Sequence, residues 1–271
     1  MKKRAYYNEH NAYAAAWLRG LIAAGLIADG EVDERSIEDV LPDELDGFAQ
    51  CHFFAGIGGW SAALRLAGWP DGKPVWTGSC PCQSFSAAGR RKGFADERHL
   101  WPAWYHLIEQ CRPPVIFGEQ VASKDALAWL DLVCADLEGA GYAVGATDLC
   151  AAGVGAPHIR QRLWFVANSV RVGRSGRCDG DTARGCGQIQ IEGRSSSIWD
   201  NPEWIDCLDG KKRPTQPGLL PLVDGVPFRL ADGRTREVAQ TKVLEGIGNA
   251  IVPQVAGEFI MACMALTLHT R

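Results

Sequence analysis

The stretch Cys51-His52-Phe53-Phe54, followed by Ala55-Gly56-Ile57-Gly58-Gly59 and then Trp60-Ser61-Ala62-Ala63-Leu64-Arg65-Leu66, decides the fold. Its apolar opening reads as a buried strand, the glycines as a tight turn, and the remainder as a helix. Working outward, Pro74-Val75-Trp76-Thr77, Pro114-Val115-Ile116-Phe117 and Arg162-Leu163-Trp164-Phe165-Val166 have the same character. Each is bounded by Gly or Pro and separated from the next by a helix-length interval. This alternation predicts an α/β fold with a mostly parallel sheet and helices on both faces.

A chain of 271 residues allows one large domain, or a full domain with a smaller one attached. With 46% hydrophobic and 22% charged residues it is an ordinary globular composition, far from that of disordered chains. Lys plus Arg is 28 against 32 for Asp plus Glu, and the net charge of -4 excludes binding nucleic acid by bulk positive charge alone. A local basic groove stays open. The ten cysteines are spread along the chain, and the basic start Met1-Lys2-Lys3-Arg4 leads into a stretch broken by Glu9, His10 and Arg19, unlike a secretory signal. Free thiols in a cytoplasmic protein are therefore expected. Residues 11–28 are too polar and too short to span a bilayer, so no membrane partner is expected, and the protein is expected to be monomeric.

Three zones differ in composition. Residues 1–50 hold ten acidic against five basic residues. Residues 51–168 carry the strand and helix rhythm. Residues 169–243 lose it and become rich in Gly, Ser, Asp, Pro and Arg, with Arg171, Arg174, Arg177, Arg184 and Arg194 in the first part. That zone reads as a small loop-rich domain, after which residues 254–268 predict a closing helix. No internal repeat is present.

Two constellations carry chemistry. Glycines between a strand and a helix N-terminus let backbone approach a nucleotide-like ligand closely, although a plain tight turn would use the same residues. Gly78-Ser79-Cys80-Pro81-Cys82-Gln83-Ser84-Phe85-Ser86 begins just beyond another strand, which presents Cys82 on a loop at the same sheet edge. A cysteine there becomes a nucleophile as its thiolate; the other nine read as inert thiols.

Phe54-Ala55-Gly56-Ile57-Gly58-Gly59 followed by Pro81-Cys82-Gln83 resembles the DNA (cytosine-5)-methyltransferases. Further elements resemble that family in its order. Pro114–Val121 resembles the strand ending in the family's Glu-Asn-Val, with Glu119 kept and Gln120 replacing the Asn. Ala156-Pro157-His158-Ile159-Arg160-Gln161-Arg162 is similar to its Pro-Gln-x-Arg-x-Arg element, with His158 replacing Gln. Gly248-Asn249-Ala250-Ile251-Val252-Pro253 is similar to its closing Gly-Asn-Ala-Val-Pro. The resemblance implies a Rossmann-like catalytic domain over 1–168 with 244–271, and a small target-recognition region over 169–243.

One departure has a consequence for cofactor binding. Only 21 residues separate Gly59 from Pro81, whereas the family inserts two more strand-helix units there and a βαβ unit takes ~30 residues. Those units would carry the carboxylate for a cofactor ribose. Residues 4–32 resemble the absent piece: strand Arg4-Ala5-Tyr6-Tyr7, then Asn8-Glu9-His10, a helix over about 12–22 with Tyr13-Ala14 at the matching spacing, and Gly30-Glu31-Val32. The expectation is a permutation that places Glu9 at the ribose hydroxyls, His10 against the adenine and Glu31 near its amino group, with a helix within residues 36–50 carrying the return crossover. The competing reading is an unrelated acidic cap.

By this resemblance the cofactor is S-adenosylmethionine, held by Phe54, Gly56, Ile57, Gly58, Gly59, Glu9, His10, Glu31 and Asn249. The substrate is a cytosine flipped from duplex DNA. Cys82 adds to carbon 6, Glu119 holds or protonates ring nitrogen 3, Arg162 binds the O2 side, and Arg160 holds a phosphate or the catalytic loop. No metal is expected: Cys178, Cys186 and Cys207 lack a familiar ligand spacing. His99, His106 and His158 read as structural. Three alternatives stay open: a silent DNA-binding homologue, a folate-using nucleotide methylase, and RNA as substrate.

Overall fold

The computed structural model describes residues 4–81, 100–156, 158–169, 203–206, 212–215 and 249–268. Its main sheet contains strands β1 (Ala5–Asn8), β2 (Gly30–Asp33), β3 (Gln50–Phe53), β4 (Val75–Gly78), β5 (Val115–Val121), β6 (Tyr142–Cys150) and β7 (Gln161–Ser169). The spatial order is β2-β1-β3-β4-β5-β7-β6. The pairs from β2 through β5 are parallel, and β7 runs antiparallel to both β5 and β6. Counted from the glycine strand β3, the first five strands stand in the 3-2-1-4-5 order of a doubly wound Rossmann-like fold. The two outermost of these come from the N-terminal 33 residues.

Side-chain alternation sorts the core onto the two faces. Tyr6, Cys51, Phe53, Trp76, Ile116, Leu163 and Phe165 turn to one face, against helices α3 (Trp101–Cys111) and α4 (Lys124–Gly139). Val75, Phe117 and Trp164 turn to the other, with α2 (Gly59–Leu66) and α5 (Pro253–Leu268). Ala5 and Tyr7 pack there on α1 (Ala12–Ala23). Trp101, Trp104, Leu107 and Ile108 line the buried stripe of α3 at helical spacing, and each such side chain contributes about 1.5–3 kcal/mol on burial. Asn11 starts α1 by accepting from the Tyr13 and Ala14 N–H groups at 3.0 and 3.2 Å.

The expected strands and the closing helix are present. The crossover over residues 36–50 is helical as expected, but in the shortest form: two single-turn 3-10 helices, Ile37–Asp39 and Pro42–Leu45, and no α-helix. The connection has to pass only the narrow strand β1, and Ile37, Val40 and Leu45 seal that face with three buried side chains. In the 169–243 zone the described residues are an antiparallel pair, β8 (Glu203–Asp206) and β9 (Lys212–Thr215); the five arginines singled out there, with Cys178, Cys186 and Cys207, lie outside them. Among the described residues no helix is long and apolar enough to cross a membrane.

Candidate active site

β1, β3 and β4 end at the same edge of the sheet, and the glycine turn leaves that edge from β3. The turn passes through left-handed backbone at Phe54 (φ 51°), Gly56 (φ 55°) and Gly58 (φ 83°). These glycines have different jobs. A side chain on Gly56 would meet nothing within 4 Å, so this position faces open space. One on Gly58 would press on Ile27, Leu18 and Leu21 at 3.2–3.4 Å, so Gly58 serves the packing of α2 on α1. One on Gly59 would stand 2.7 Å from Ile251, which lays the segment before α5 against the turn. Phe54 and Ile57 are half-buried, Phe54 meeting Trp104 edge-on and Ile57 packing on the α1 cluster.

Glu9 is brought to this turn. It follows β1, whose Asn8 pairs with Phe53 of the glycine strand. Its Oε2 accepts from the Gly56 N–H at 2.7 Å and its Oε1 from the Asn11 N–H at 2.9 Å. Each carboxylate oxygen keeps a further lone pair for an incoming hydroxyl. His10 is exposed beside it, its Nδ1–H donating to the Glu34 carbonyl at 3.1 Å.

Glu31 is not brought there, which corrects the sequence expectation. It pairs with Tyr6 in mid-strand and its carboxylate is ion-paired with Arg4 at 2.9 Å, on the amino-terminal side of β1. The acidic residue at the carboxyl end of β2 is Asp33. It is occupied by the Tyr6 hydroxyl at 2.8 Å and by Arg35 at 2.7 Å, and Arg35 also binds Glu44 at 3.0 Å. Asp33 carries no Gly-acid-apolar signal, being flanked by Val32 and Glu34, and only its pairing with Asn8 places it at this edge. Asn249 is exposed and adjoins Ala250, whose carbonyl accepts from Arg160.

The second half of the site lies between β4 and β5. Cys82 is outside the described residues, and Pro81 just before it is exposed. Glu119 is buried, with 7% of its surface exposed, and its Oε1 accepts from Arg162 Nε at 2.9 Å. Burial pushes the Glu119 carboxyl above its usual range, against the pull of Arg162, a hydrogen bond from Ser79 and the charge of Arg160. Ser79 also accepts from the Trp60 indole N–H at 3.1 Å. Gln120 is buried and donates to the Cys80 carbonyl at 3.2 Å, while its own oxygen accepts from the Val121 N–H at 2.9 Å. Glu119 and Gln120 thus both hold the segment that leads into Pro81-Cys82. Ser79 carries no motif signal in the sequence, and Gln120, which stands at the Asn position of the Glu-Asn-Val resemblance, shows its bond to the Cys80 carbonyl only through the pairing of β4 with β5.

Arg162 is therefore engaged with Glu119, and Arg160 with the closing segment. Arg160 has left-handed backbone (φ 33°), rare for a side chain of its size, and burial and Arg162 act against its charge. Burial and Arg160 hold His158 toward its neutral form.

Residues 70–175 match the family model for C-5 cytosine-specific DNA methylase. The chain is 30% identical over 145 residues to the type II methyltransferase M.NlaX of Neisseria lactamica, covering 49% of this chain and 46% of that protein. It is 31% identical to M.MspI of Moraxella sp over 47% of this chain and 32% of that one, and 26% identical to M.HhaI of Haemophilus parahaemolyticus over 47% and 51%. The matched segment thus spans about half or less of each relative's length. A crystal structure of S. pombe Dnmt2 methyltransferase is 13% identical with a TM-score of 0.48, covering 98% of this chain and 99% of that chain. Residues 70–175 are thus similar to the C-5 cytosine-specific DNA methylases and to segments of the type II relatives.

Proposed function

We propose that the protein transfers a methyl group from S-adenosylmethionine to carbon 5 of a cytosine flipped out of duplex DNA, through a transient bond from Cys82. The observation that carries the reading is the buried Glu119–Arg162 pair facing the Ser79-Cys80-Pro81 segment, one strand away from an open glycine turn. Bound S-adenosylmethionine would supply an electrophilic methyl on sulfonium. The residues present fit it: Gly56 leaves open space, Glu9 offers lone pairs for two ribose hydroxyls, His10 stands where a base could lie, and Asn249 adjoins the segment that covers the turn. Phe54, Ile57, Gly58 and Gly59 shape that turn. Residues 4–33 then act as the permuted cofactor-binding unit, and 169–243 as the target-recognition region.

Carbon 5 of cytosine is a weak nucleophile. The Cys82 thiolate forms a bond to carbon 6, pushing electrons toward carbon 5. Glu119, whose carboxyl burial pushes above its usual range, delivers a proton toward ring nitrogen 3 and offsets the developing charge. Arg162 fixes the Glu119 carboxyl. Carbon 5 takes the methyl as the methyl–sulfonium bond breaks and the thioether leaves; a base removes the carbon 5 proton, nitrogen 3 returns its proton to Glu119, and the carbon 6–sulfur bond breaks to restore the ring and the thiolate. Gln120 and Arg160 hold the cysteine loop and the closing segment in place.

Bisulfite sequencing of DNA from a host without its own cytosine methylation tests the reading. Expression of the chain is expected to protect cytosines within a recurring sequence, and Cys82→Ser to protect none. Unprotected DNA from cells that contain folded wild-type protein would refute it.

A further inference from the structure

The glycine turn and the cysteine segment are separate in the sequence but joined in space by a side-chain hydrogen bond. Trp60, on the first turn of α2 directly after Gly58-Gly59, donates its indole N–H to Ser79 Oγ at 3.1 Å. Packing fixes the donor. Trp60 is 2% exposed, its ring stacked on Phe117 with centroids 6.3 Å apart and edge-on to Trp164 at 5.5 Å. The acceptor is the opposite case: Ser79 is half-buried and is the first residue past β4, where strand pairing no longer holds the backbone. The next residue is held from the other face of the sheet. Gln120, which donates to the Cys80 carbonyl at 3.2 Å, lies two residues past Gly118, whose side-chain direction meets Phe165 of the α3–α4 face. Trp60 belongs to the α2–α5 cluster. Ser79 and Cys80 are thus pinned one from each face.

We propose that Trp60 is a positioning residue for the cysteine segment: through Ser79 it sets where the chain leaving β4 stands relative to the glycine turn. This inference rests on the roles given above to Cys82 and to that turn. Methyl transfer needs the bound base and the methyl donor in line, and a misplacement of about 1 Å can cost on the order of 100-fold in rate. The donor is held at the turn just before Trp60, and the base by Cys82, three residues along the chain from Ser79. The bond from Trp60 to Ser79 therefore keeps the two reactants in register. A phenylalanine at position 60 would fill the same aromatic cluster and leave the Ser79 hydroxyl to water. Gly56 and Glu9 would be untouched, so cofactor affinity would stay.

Trp60→Phe, Ser79→Ala and the double variant test this against the wild type in three readouts. The first is the indole N–H resonance of Trp60 in 15N-labelled protein, identified as the one missing in Trp60→Phe; Ser79→Ala is expected to move it upfield and to speed its exchange with water. The second is the S-adenosylmethionine dissociation constant by isothermal titration, expected within about twofold of wild type in all three variants. The third is the single-turnover rate of methyl transfer to duplex DNA. It is expected to fall about tenfold in each single variant, and no further in the double, because both substitutions remove the same bond. Ser79→Ala, at a half-buried position, carries the test alone if the cluster rejects a phenylalanine. Wild-type rates in the single variants, a double variant whose loss is the product of the two, or a Trp60 resonance that Ser79→Ala leaves in place overturns the inference while leaving the proposed reaction standing. A loss of cofactor affinity that matches the loss of rate also overturns it, assigning Trp60 to the turn alone. A wild-type protein that methylates no cytosine overturns the reading of the reaction itself, and the role of Trp60 with it.

Discussion

Replacing Glu9 by Gln tests the proposed placement of its carboxylate at the cofactor. Glu9 accepts one backbone N–H on each oxygen, from Asn11 at 2.9 Å and Gly56 at 2.7 Å. A glutamine keeps the length but has a single acceptor, so its NH2 group would face one of those N–H donors. Hydrogen bonds to charged groups contribute about 1.5–3 kcal/mol, and losing one such interaction with a ribose hydroxyl weakens binding about 10- to 100-fold. Isothermal titration with S-adenosylmethionine at neutral pH reads that change, with circular dichroism confirming that the variant is folded. Glu31→Gln is the matched comparison: its carboxylate is exposed and bound to Arg4, so the dissociation constant should stay at the wild-type value. A folded Glu9→Gln protein that binds within about twofold of wild type, or a Glu31→Gln protein that loses as much, refutes the placement.

Other consequences follow from the same geometry. Gly58→Ala forces a side chain into left-handed backbone against Leu18, Leu21 and Ile27, and should cost about 1–2 kcal/mol of stability in denaturant melts, while Gly56→Ala should weaken cofactor binding about tenfold because its methyl enters the open space. Buried His52, hydrogen-bonded to Thr77 at 2.7 Å and stacked on Tyr7, has its pKa pushed down to about 3 by desolvation. The unfolded chain protonates near pH 6.5, so this contribution to stability is complete above that pH and is lost as pH falls toward 3, at about 1.4 kcal/mol per unit. Denaturation at pH 7 and pH 5 should therefore show a loss of about 2 kcal/mol that His52→Asn does not share. Gln120→Leu removes the donor to the Cys80 carbonyl and should lower kcat while leaving S-adenosylmethionine affinity at the wild-type value; a changed affinity with normal kcat would contradict its assignment to the cysteine loop.

The sheet was legible because each buried strand is a short run of apolar, β-branched or aromatic residues, and because Gly56 and Gly58 sit where backbone must turn left-handed. The placement of residues 4–33 beside the glycine strand was legible from Asn8-Glu9 and the spacing to Tyr13-Ala14, and β1 does pair with β3. Register was the harder part. Glu31 and Asp33 both belong to a four-residue strand, and only the pairing of Asn8 with Asp33 shows which one reaches the edge. The connection over residues 36–50 was legible as helical, but not its form, since a strand neighbour can be passed by two 3-10 turns as well as by an α-helix. Ser79 left no trace in the sequence, and Gln120 showed only as the replacement of a motif Asn; their bonds to Trp60 and to the Cys80 carbonyl come from elements placed side by side in space.

Trapping on DNA tests the chemistry most directly. The protein is incubated with S-adenosylmethionine and a random-sequence duplex in which 5-fluorocytosine replaces cytosine, so that carbon 5 carries no removable proton after methyl transfer. Mass spectrometry should then find a covalent complex that needs S-adenosylmethionine, with the modified peptide containing Cys82 and no complex from Cys82→Ser. No complex from folded wild-type protein, or an undiminished one from Cys82→Ser, would contradict the account.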